Sequence, residues 1–262
     1  MPEGHIIHRF ARSLLELVSH RVTASSPQGR FPAARTVTEQ EVEAVEAFGK
    51  HLLVDMSGGQ TIHVHLGMRG TWLRVAPVTG PAMPQVRLRL AAPHVAWDLI
   101  APSTCELLDP EGRSTLTRRL GPDPLRPDSD ADEAVRRLAA FTGPVGAALL
   151  DQRVIAGVGN VFRAEALHAC GLAPMQLTAD LDTSELRRLW DTIEAMMSAG
   201  VDAGRIITVA VEDRLSLREA EARRIYKRTN CYDCGTPIDV TAVAGRTSYS
   251  CPHCQPLRIT RP

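Results

Sequence analysis

Two Cys-x-x-Cys pairs, Cys231/Cys234 and Cys251/Cys254, sit sixteen residues apart near the end of the chain. Each pair is a knuckle that turns two thiolates toward one ion, and four thiolates complete the tetrahedron of a closed structural zinc site. The end of the chain is therefore expected to be a small module organised by one structural Zn2+ per chain. A redox reading would need a single exposed pair beside a βαβ unit. His253 lies inside the second knuckle, but four sulfurs already fill the coordination shell. Between the knuckles, residues 237–244 and 247–250 flank Gly245-Arg246, the pattern of a β-hairpin with an arginine at its tip. Such a tip can grip a phosphate. Cys105 and Cys170 read as small buried apolar residues rather than nucleophiles.

The remainder has ordinary globular composition, 262 residues with 44% hydrophobic and 23% charged, enough for one or two domains. Disorder as the main state is excluded. No apolar run approaches the roughly 18–20 residues that span a bilayer. The start, Met-Pro-Glu-Gly-His, lacks the basic and apolar regions of a secretory signal, so a cytoplasmic, bacterial-type enzyme is expected. Formal net charge is zero, yet residues 214–262 hold nine basic residues against four acidic ones. A basic end on a neutral protein is the local footprint that phosphate contacts need. Of the thirty basic residues only Lys50 and Lys227 are lysine. A chain that favours arginine this heavily keeps lysine where a compact, rotatable ammonium serves better.

Apolar residues at helical spacing (Ile6, Ile7, Phe10, Leu14, Leu17, Val18) predict a helix over 3–18. Residues 25–29 read as a turn. From Lys50 to about Leu108 the pattern changes to short strands at 52–54, 61–65, 72–75, 86–90 and 95–99, which suggests a β-sandwich or barrel. A Pro/Asp-rich hinge at 121–130 follows. Helices are expected at 131–141, 145–151, 160–169 and 183–198, and a short one at 218–226. The outline is α+β: a β-rich domain over 1–120, a helical domain over 121–225 and a metal module over 226–262.

Two further motifs carry chemistry. Gly157-Val158-Gly159-Asn160 precedes a helix, where exposed amides can meet an anion. At the N-terminus, removal of Met1 would leave Pro2 as a secondary amine, partly neutral near pH 7. Such an amine can attack an anomeric carbon, and Glu3 beside it can handle the proton of ring opening. The histidines His5/His8 and His63/His65 read as ordinary histidines, since no acidic partner is spaced to complete a metal site.

Together these pieces resemble the formamidopyrimidine-DNA glycosylase and endonuclease VIII family, in particular its actinobacterial endonuclease VIII-like members. The residues that carry the resemblance are Met1-Pro2-Glu3-Gly4, Gly49-Lys50-His51-Leu52, His65-Leu66-Gly67-Met68, Leu120-Gly121-Pro122-Asp123, Asp151-Gln152 with the Gly157 motif, and the cysteine module through Gln255. They span nearly the whole chain. The resemblance implies an N-terminal β-sandwich headed by a helix, a helix–two-turn–helix domain and a zinc-finger hairpin. It implies a bifunctional glycosylase and AP lyase of base-excision repair. Pro2 would be the Schiff-base nucleophile, Glu3 its acid/base partner and Lys50 the catalytic-site lysine on DNA phosphate. Met68 would fill the gap left by an everted base, with Arg69 beside it. Asn160, Glu165, Arg246 and Gln255 match DNA-binding positions. The implied partner is damaged double-stranded DNA, met by a monomer away from membranes.

The pattern has departures. Ile6 stands where the purine-specific branch carries a glutamate, and residues 205–226 hold no glycine where that branch has a flexible capping loop; 206–209 and 217–225 read instead as strand or helix. Both favour oxidised pyrimidines over purine lesions. Tyr226-Lys227-Arg228 replaces the commoner Tyr-Gly-Arg, and Arg69 replaces a small or aromatic residue. The rival reading, a non-catalytic binder of damaged DNA, needs neither Pro2 nor Glu3.

Overall fold

The chain divides between Arg119 and Leu120 into two units, and the computed structural model describes residues 2–210, 216–219 and 221–258. In the first unit, helix α1 (Gly4–Leu14) buries Ile7, Ala11 and Leu14, and a 3-10 turn (Leu15–Leu17) buries Leu17. The expected single helix over 3–18 therefore tightens at its end. Leu14 and Leu17 are three residues apart, the spacing at which a 3-10 turn keeps both side chains on one face.

Strand β1 (Arg21–Ser25) and a short helix α2 (Ala34–Val37) come next, followed by β2 (Gln40–Phe48), β3 (His51–Met56), β4 (Thr61–His65), β5 (Thr71–Val75), β6 (Val86–Ala91), β7 (Ala96–Ile100), β8 (Thr104–Leu108) and α3 (Pro110–Arg118). All strands pair antiparallel in the order β5-β7-β6-β1-β2-β3-β4-β8. The two four-stranded halves are joined by only a short β1–β2 pairing, Arg21↔Glu41 and Val22↔Gln40. Their apolar faces share one core that includes Val22, Val45, Leu52, Val64, Trp72, Leu88 and Trp97, which makes the sandwich.

The sheet is larger than the pattern from Lys50 onward suggests, because β1, β2 and β8 add to it. In β2, Gln-Glu-Val-Glu-Ala-Val-Glu-Ala-Phe is rich in helix formers, yet it forms a strand. A bulge between Val42 and Ala44 resets the alternation, so Val42 and Val45 both face inward although they are three residues apart. Asp109 caps α3 by accepting the Gly112 N–H at 2.7 Å, with Pro110 at the first helical position.

The second unit contains α4 (Ala131–Ala140), α5 (Val145–Ala148), α6 (Asn160–Ala169), α7 (Thr183–Ala203) and the hairpin β9 (Asp239–Val243) with β10 (Arg246–Ser250). Helix α7 starts at a capping box, Asp182 with Glu185, and runs five residues past the expected end to Gly204, whose φ of +69° stops it. Helix α5 is one turn rather than the seven residues expected. Helix α6 is buried on every side from Val161 to His168, the mark of a helix at the centre of its domain.

The helix expected over 218–226 is absent among the described residues. Glu165 takes the backbone N–H groups of Arg224, Ile225 and Tyr226 at 2.8, 3.1 and 2.8 Å, donors that a helix would have spent on its own carbonyls. Residues 206–209 form no strand or helix either. Thr208 N–H donates to the Ala222 carbonyl across the loop at 2.8 Å. Residues 211–215 of that stretch lie outside the described residues. No helix among the described residues is long and apolar enough to cross a membrane.

Candidate active site and nucleic-acid interface

In the first unit, Pro2 and Glu3 stand at the head of α1, Glu3 as its N-cap residue in extended backbone. Glu3 is only 1% exposed while Pro2 is half-buried. Helix α1 packs on β2 and β3, and the two-residue turn between those strands is Gly49-Lys50. Phe48 pairs with His51 across it, and Gly49 takes φ +58°, the conformation such a turn asks of its first residue. The turn thus places Lys50 at the hairpin tip.

Met68 and Arg69 occupy the loop after β4, both exposed, Met68 at 72%. The loop is tight: Gly70 N–H donates to the Leu66 carbonyl at 3.0 Å, and a Cβ on Gly70 would lie 2.3 Å from that oxygen. The loop thus buries Leu66 and leaves the Met68 side chain exposed to solvent. Behind it, His65 Nδ1 meets the Gly67 N–H at 3.1 Å and Ser103 Oγ at 2.9 Å.

The sequence pattern hid the surroundings of His63. Its Nδ1 lies 2.8 Å from Glu106 Oε1 and its Nε2 2.9 Å from His51 Nδ1. Glu106 is forty-three residues away in sequence and directly opposite His63 in the β4–β8 register. Burial, then His63, His65 and Lys50, pushes the His51 pKa down to about 3. Burial also lowers that of His65, with Lys50 and His63 adding to it. The Cys105 thiol, half-buried, is pushed up to about 12 and the Cys170 thiol is raised as well, both mainly by burial, so neither is a ready nucleophile.

In the second unit, the Gly157 motif enters α6 through a loop held by Gln152. Its Nε2 donates to the Val158 carbonyl at 3.0 Å and its Oε1 accepts the Gly157 N–H at 3.0 Å. Asn160 Nδ2 donates to the Thr247 carbonyl of β10 at 2.9 Å. Arg163, unnoticed in the sequence and fully buried, donates to the same carbonyl at 2.8 Å. The hairpin turn itself is Ala244-Gly245, with φ of +50° and +70°. Arg246 is therefore not at the tip; it is the exposed first residue of β10, opposite Val243. Two positive φ values match the primed turn that suits a twisted two-residue hairpin.

Two of the expected DNA-binding residues are turned inward. Glu165 is fully buried, and its carboxylate holds the three amides named above and Thr208 Oγ1 at 2.5 Å. Gln255 is buried too; its Oε1 accepts the Cys251 N–H at 2.9 Å and its Nε2 donates to the Leu172 carbonyl at 2.7 Å. Both spend their side-chain polar atoms on partners inside the second unit. The basic tail is also less free than its charge count: Arg218, Arg223, Arg224 and Arg258 pair with Glu221, Glu219, Asp233 and Glu185.

The sulfurs of Cys231, Cys234, Cys251 and Cys254 lie within 4.8 Å of one another. Separations of 3.9 Å (Cys231–Cys254) and 3.5 Å (Cys234–Cys251 and Cys234–Cys254) bracket the roughly 3.8 Å edge of a tetrahedron with metal–sulfur bonds of about 2.3 Å. The donor set fits one metal ion, and His253 is exposed beside it. Lys227 has φ +59°, a left-handed conformation that favours glycine. The substitution in Tyr226-Lys227-Arg228 thus falls where glycine would be unstrained.

The fold and these sites define a DNA-repair glycosylase/AP lyase built as a β-sandwich, a helix–two-turn–helix unit and a four-cysteine hairpin. Two family models match: formamidopyrimidine-DNA glycosylase N-terminal domain over residues 1–101 and formamidopyrimidine-DNA glycosylase H2TH domain over residues 120–211. The chain belongs to the formamidopyrimidine-DNA glycosylase and endonuclease VIII family. It is 36% identical to Endonuclease 8 1 of Mycobacterium tuberculosis, covering 97% of this chain and 100% of that protein. It is 33% identical to Probable endonuclease 8 2 of Streptomyces coelicolor (100% and 96% covered) and 30% identical to the formamidopyrimidine-DNA glycosylase of Thermomicrobium roseum (98% and 100%). Among solved structures it is similar in fold to MutM in complex with carbocyclic 8-oxo-G containing DNA, with TM-score 0.80, 21% identity, and 97% of this chain and 100% of that chain covered. The Lactococcus lactis Fpg bound to N7-benzyl-Fapy-dG containing DNA gives TM-score 0.79 at 22% identity, again with 97% and 100% covered.

Proposed function

We propose that this chain removes oxidised bases, pyrimidines in preference, from double-stranded DNA and then cuts the strand through an imine on Pro2. The observation that carries the reading is Pro2-Glu3 placed at the head of α1, with Glu3 buried beside a potential amine. Once Met1 is removed, the neutral Pro2 nitrogen attacks the sugar C1′ and displaces the damaged base. The Pro2 N–H proton is then lost, and Glu3 protonates the ring O4′ so that the C1′–O4′ bond breaks and the open-chain iminium forms. The resulting iminium acidifies the C2′ proton; its loss expels the 3′ phosphate, and a second elimination expels the 5′ phosphate. Lys50 holds backbone phosphate near the reacting sugar. Met68 fills the stack where the base has left. Asn160 and Arg246 hold phosphates from the second unit. Zinc is the metal that four thiolates suit, and a closed four-sulfur site leaves it no open position, so its contribution is to fold the hairpin.

Preference for pyrimidines is supported by Ile6, which supplies no carboxylate to position a purine lesion. Selectivity then falls to the ease of eversion, which is cheapest for a base that has lost its stacking. The test is borohydride trapping of the processed protein on an abasic duplex, where Pro2→Gly should abolish the adduct. An equal adduct from protein that retains Met1 would overturn the Pro2 assignment. On matched duplexes, kcat/KM for thymine glycol should exceed that for 8-oxoguanine paired with cytosine; a tenfold preference for the purine would overturn the pyrimidine reading alone.

A further inference from the structure

The outer face of β3, β4 and β8 carries a line of polar side chains that the reaction above leaves unused. His51 lies opposite His65 in the β3–β4 register, and His63 lies opposite Glu106 in the β4–β8 register. An ionised carboxylate only accepts, so in the 2.8 Å contact His63 donates from Nδ1 to Glu106. In the tautomer with its proton on Nδ1, His63 keeps a lone pair at Nε2, and in the 2.9 Å contact His51 Nδ1 donates to it. Glu106 thereby sets the tautomer of an imidazole two hydrogen bonds away, the one that follows Lys50 in the chain.

The groups facing this array are Lys50 on the turn and His65 on β4, whose ring centroid is 5.2 Å from that of His51. Asp109, Glu111 and Arg119 line the hollow beside α3 that His63 and Glu106 also line. Burial first, and then neighbouring groups that include Lys50, disfavour protonation of both His51 and His65. The imidazoles next to Lys50 are therefore uncharged at neutral pH, and none of them repels its ammonium.

We propose that the chain His51–His63–Glu106 is a positioning device for Lys50, locking the end of the β2–β3 hairpin through one hydrogen-bonded tautomer. The proposal rests on the reading of Lys50 as a contact to DNA phosphate. His51 is the first residue after the turn, so fixing its side chain fixes the direction in which the turn presents Lys50. The ordering is done before DNA arrives, which lowers the cost of immobilising a long side chain at the phosphate.

Glu106 is the handle, because its side chain is 52% exposed and truncating it opens no core. Abasic-site cleavage by the full-length, Met1-processed protein is measured for Glu106→Ala, Glu106→Gln, Lys50→Ala and the double variant Lys50→Ala/Glu106→Ala. Thermal unfolding confirms that each is folded. Glu106→Ala should lower kcat/KM about tenfold, mostly through KM. Glu106→Gln should recover most of that loss, since its amide oxygen still accepts from His63. The double variant should be no slower than Lys50→Ala. Imidazole 15N spectra should report wild-type His51 as the neutral Nδ1–H form at pH 6.5, a readout that needs no variant. Losses that multiply, a Gln variant as slow as Ala, or a His51 that is charged or protonated at Nε2 would each overturn the positioning role while leaving Lys50 in place. A Lys50→Ala protein at the wild-type rate would instead overturn the reading of Lys50 and this proposal with it.

Discussion

The Nε2 of His168 lies 3.3 Å from the Sγ of Cys231, and both side chains are buried. A residue of α6, the helix that begins with Asn160, thus touches one of the four sulfurs directly. The same helix holds β10 through Asn160 and Arg163, so hairpin and helix are one mechanical piece. Loss of the metal is therefore expected to disturb α6 as well as the tail. Cys234→Ser, which removes an exposed ligand, should lower bound metal from one ion per chain toward none and weaken binding to an abasic-analogue duplex. Metal analysis and fluorescence anisotropy check both halves. A metal-free protein that binds DNA with wild-type affinity would show that the hairpin is dispensable.

Glu165 satisfies three backbone N–H groups and a hydroxyl with one carboxylate. Glutamine offers a single acceptor oxygen and brings two donors of its own to a site that already consists of donors. Glu165→Gln should cost about 2–3 kcal/mol, because buried N–H groups then go unpaired. Urea unfolding measures it, and a loss under a few tenths of a kcal/mol would mean that the loop rearranges freely.

Much of this was readable in the sequence, and the failures have physical reasons. The cysteine module, α1, α4 and α6 announce themselves through short-range spacing: knuckle geometry, helical periodicity and capping residues. Strand β2 does not, because its Glu/Ala composition favours helix and a bulge breaks the alternation that would identify a strand. The 218–226 segment fails for the opposite reason: its local pattern is helical, and a buried carboxylate distant in sequence claims its amides. Arg163 carries no local signal, because its partners are the Val243 and Thr247 carbonyls of a hairpin some eighty residues away in sequence. His63 and Glu106 are partners only through strand register, which no local window contains. Local chemistry was legible, and contacts made by the sheet were not.

Lys227 holds a left-handed backbone, a conformation that costs a non-glycine residue about 1–2 kcal/mol. Its ammonium sits 5.7 Å from the Tyr226 ring centroid, a contact that returns only part of that. Glycine removes the strain but adds chain entropy to the unfolded state, so Lys227→Gly should stabilise by up to about 1 kcal/mol. A lower Tm in the variant would mean that the lysine's contacts outweigh the strain.

Arg246 is exposed and pairs with no carboxylate among the described residues. Arg246→Ala should keep the metal, weaken binding across DNA sequences and reduce the salt slope of log Kd by about one phosphate. An unchanged slope would place the hairpin's phosphate contact elsewhere.

His51 makes stability depend on pH in a direction that can be worked out. Burial first, then His63, His65 and Lys50, holds its folded pKa at about 3, against 6.5 for the free side chain. The folded state therefore binds fewer protons than the unfolded state between those two values. Its contribution is fully present above pH 6.5 and is lost as the pH falls from there toward 3. The loss approaches about 1.4 kcal/mol for each pH unit while the unfolded imidazole is charged and the folded one is not. Carboxylates also titrate in the lower part of this window, so the signal is the difference between wild type and His51→Gln rather than either curve alone. Urea unfolding at pH 7.5, 6.5, 5.5 and 4.5 should show wild-type stability falling toward that of the variant, with most of the convergence below pH 6.5. Curves that stay parallel would mean that folded His51 takes up its proton as readily as the unfolded chain does, and that the array beside Lys50 is charged in weak acid.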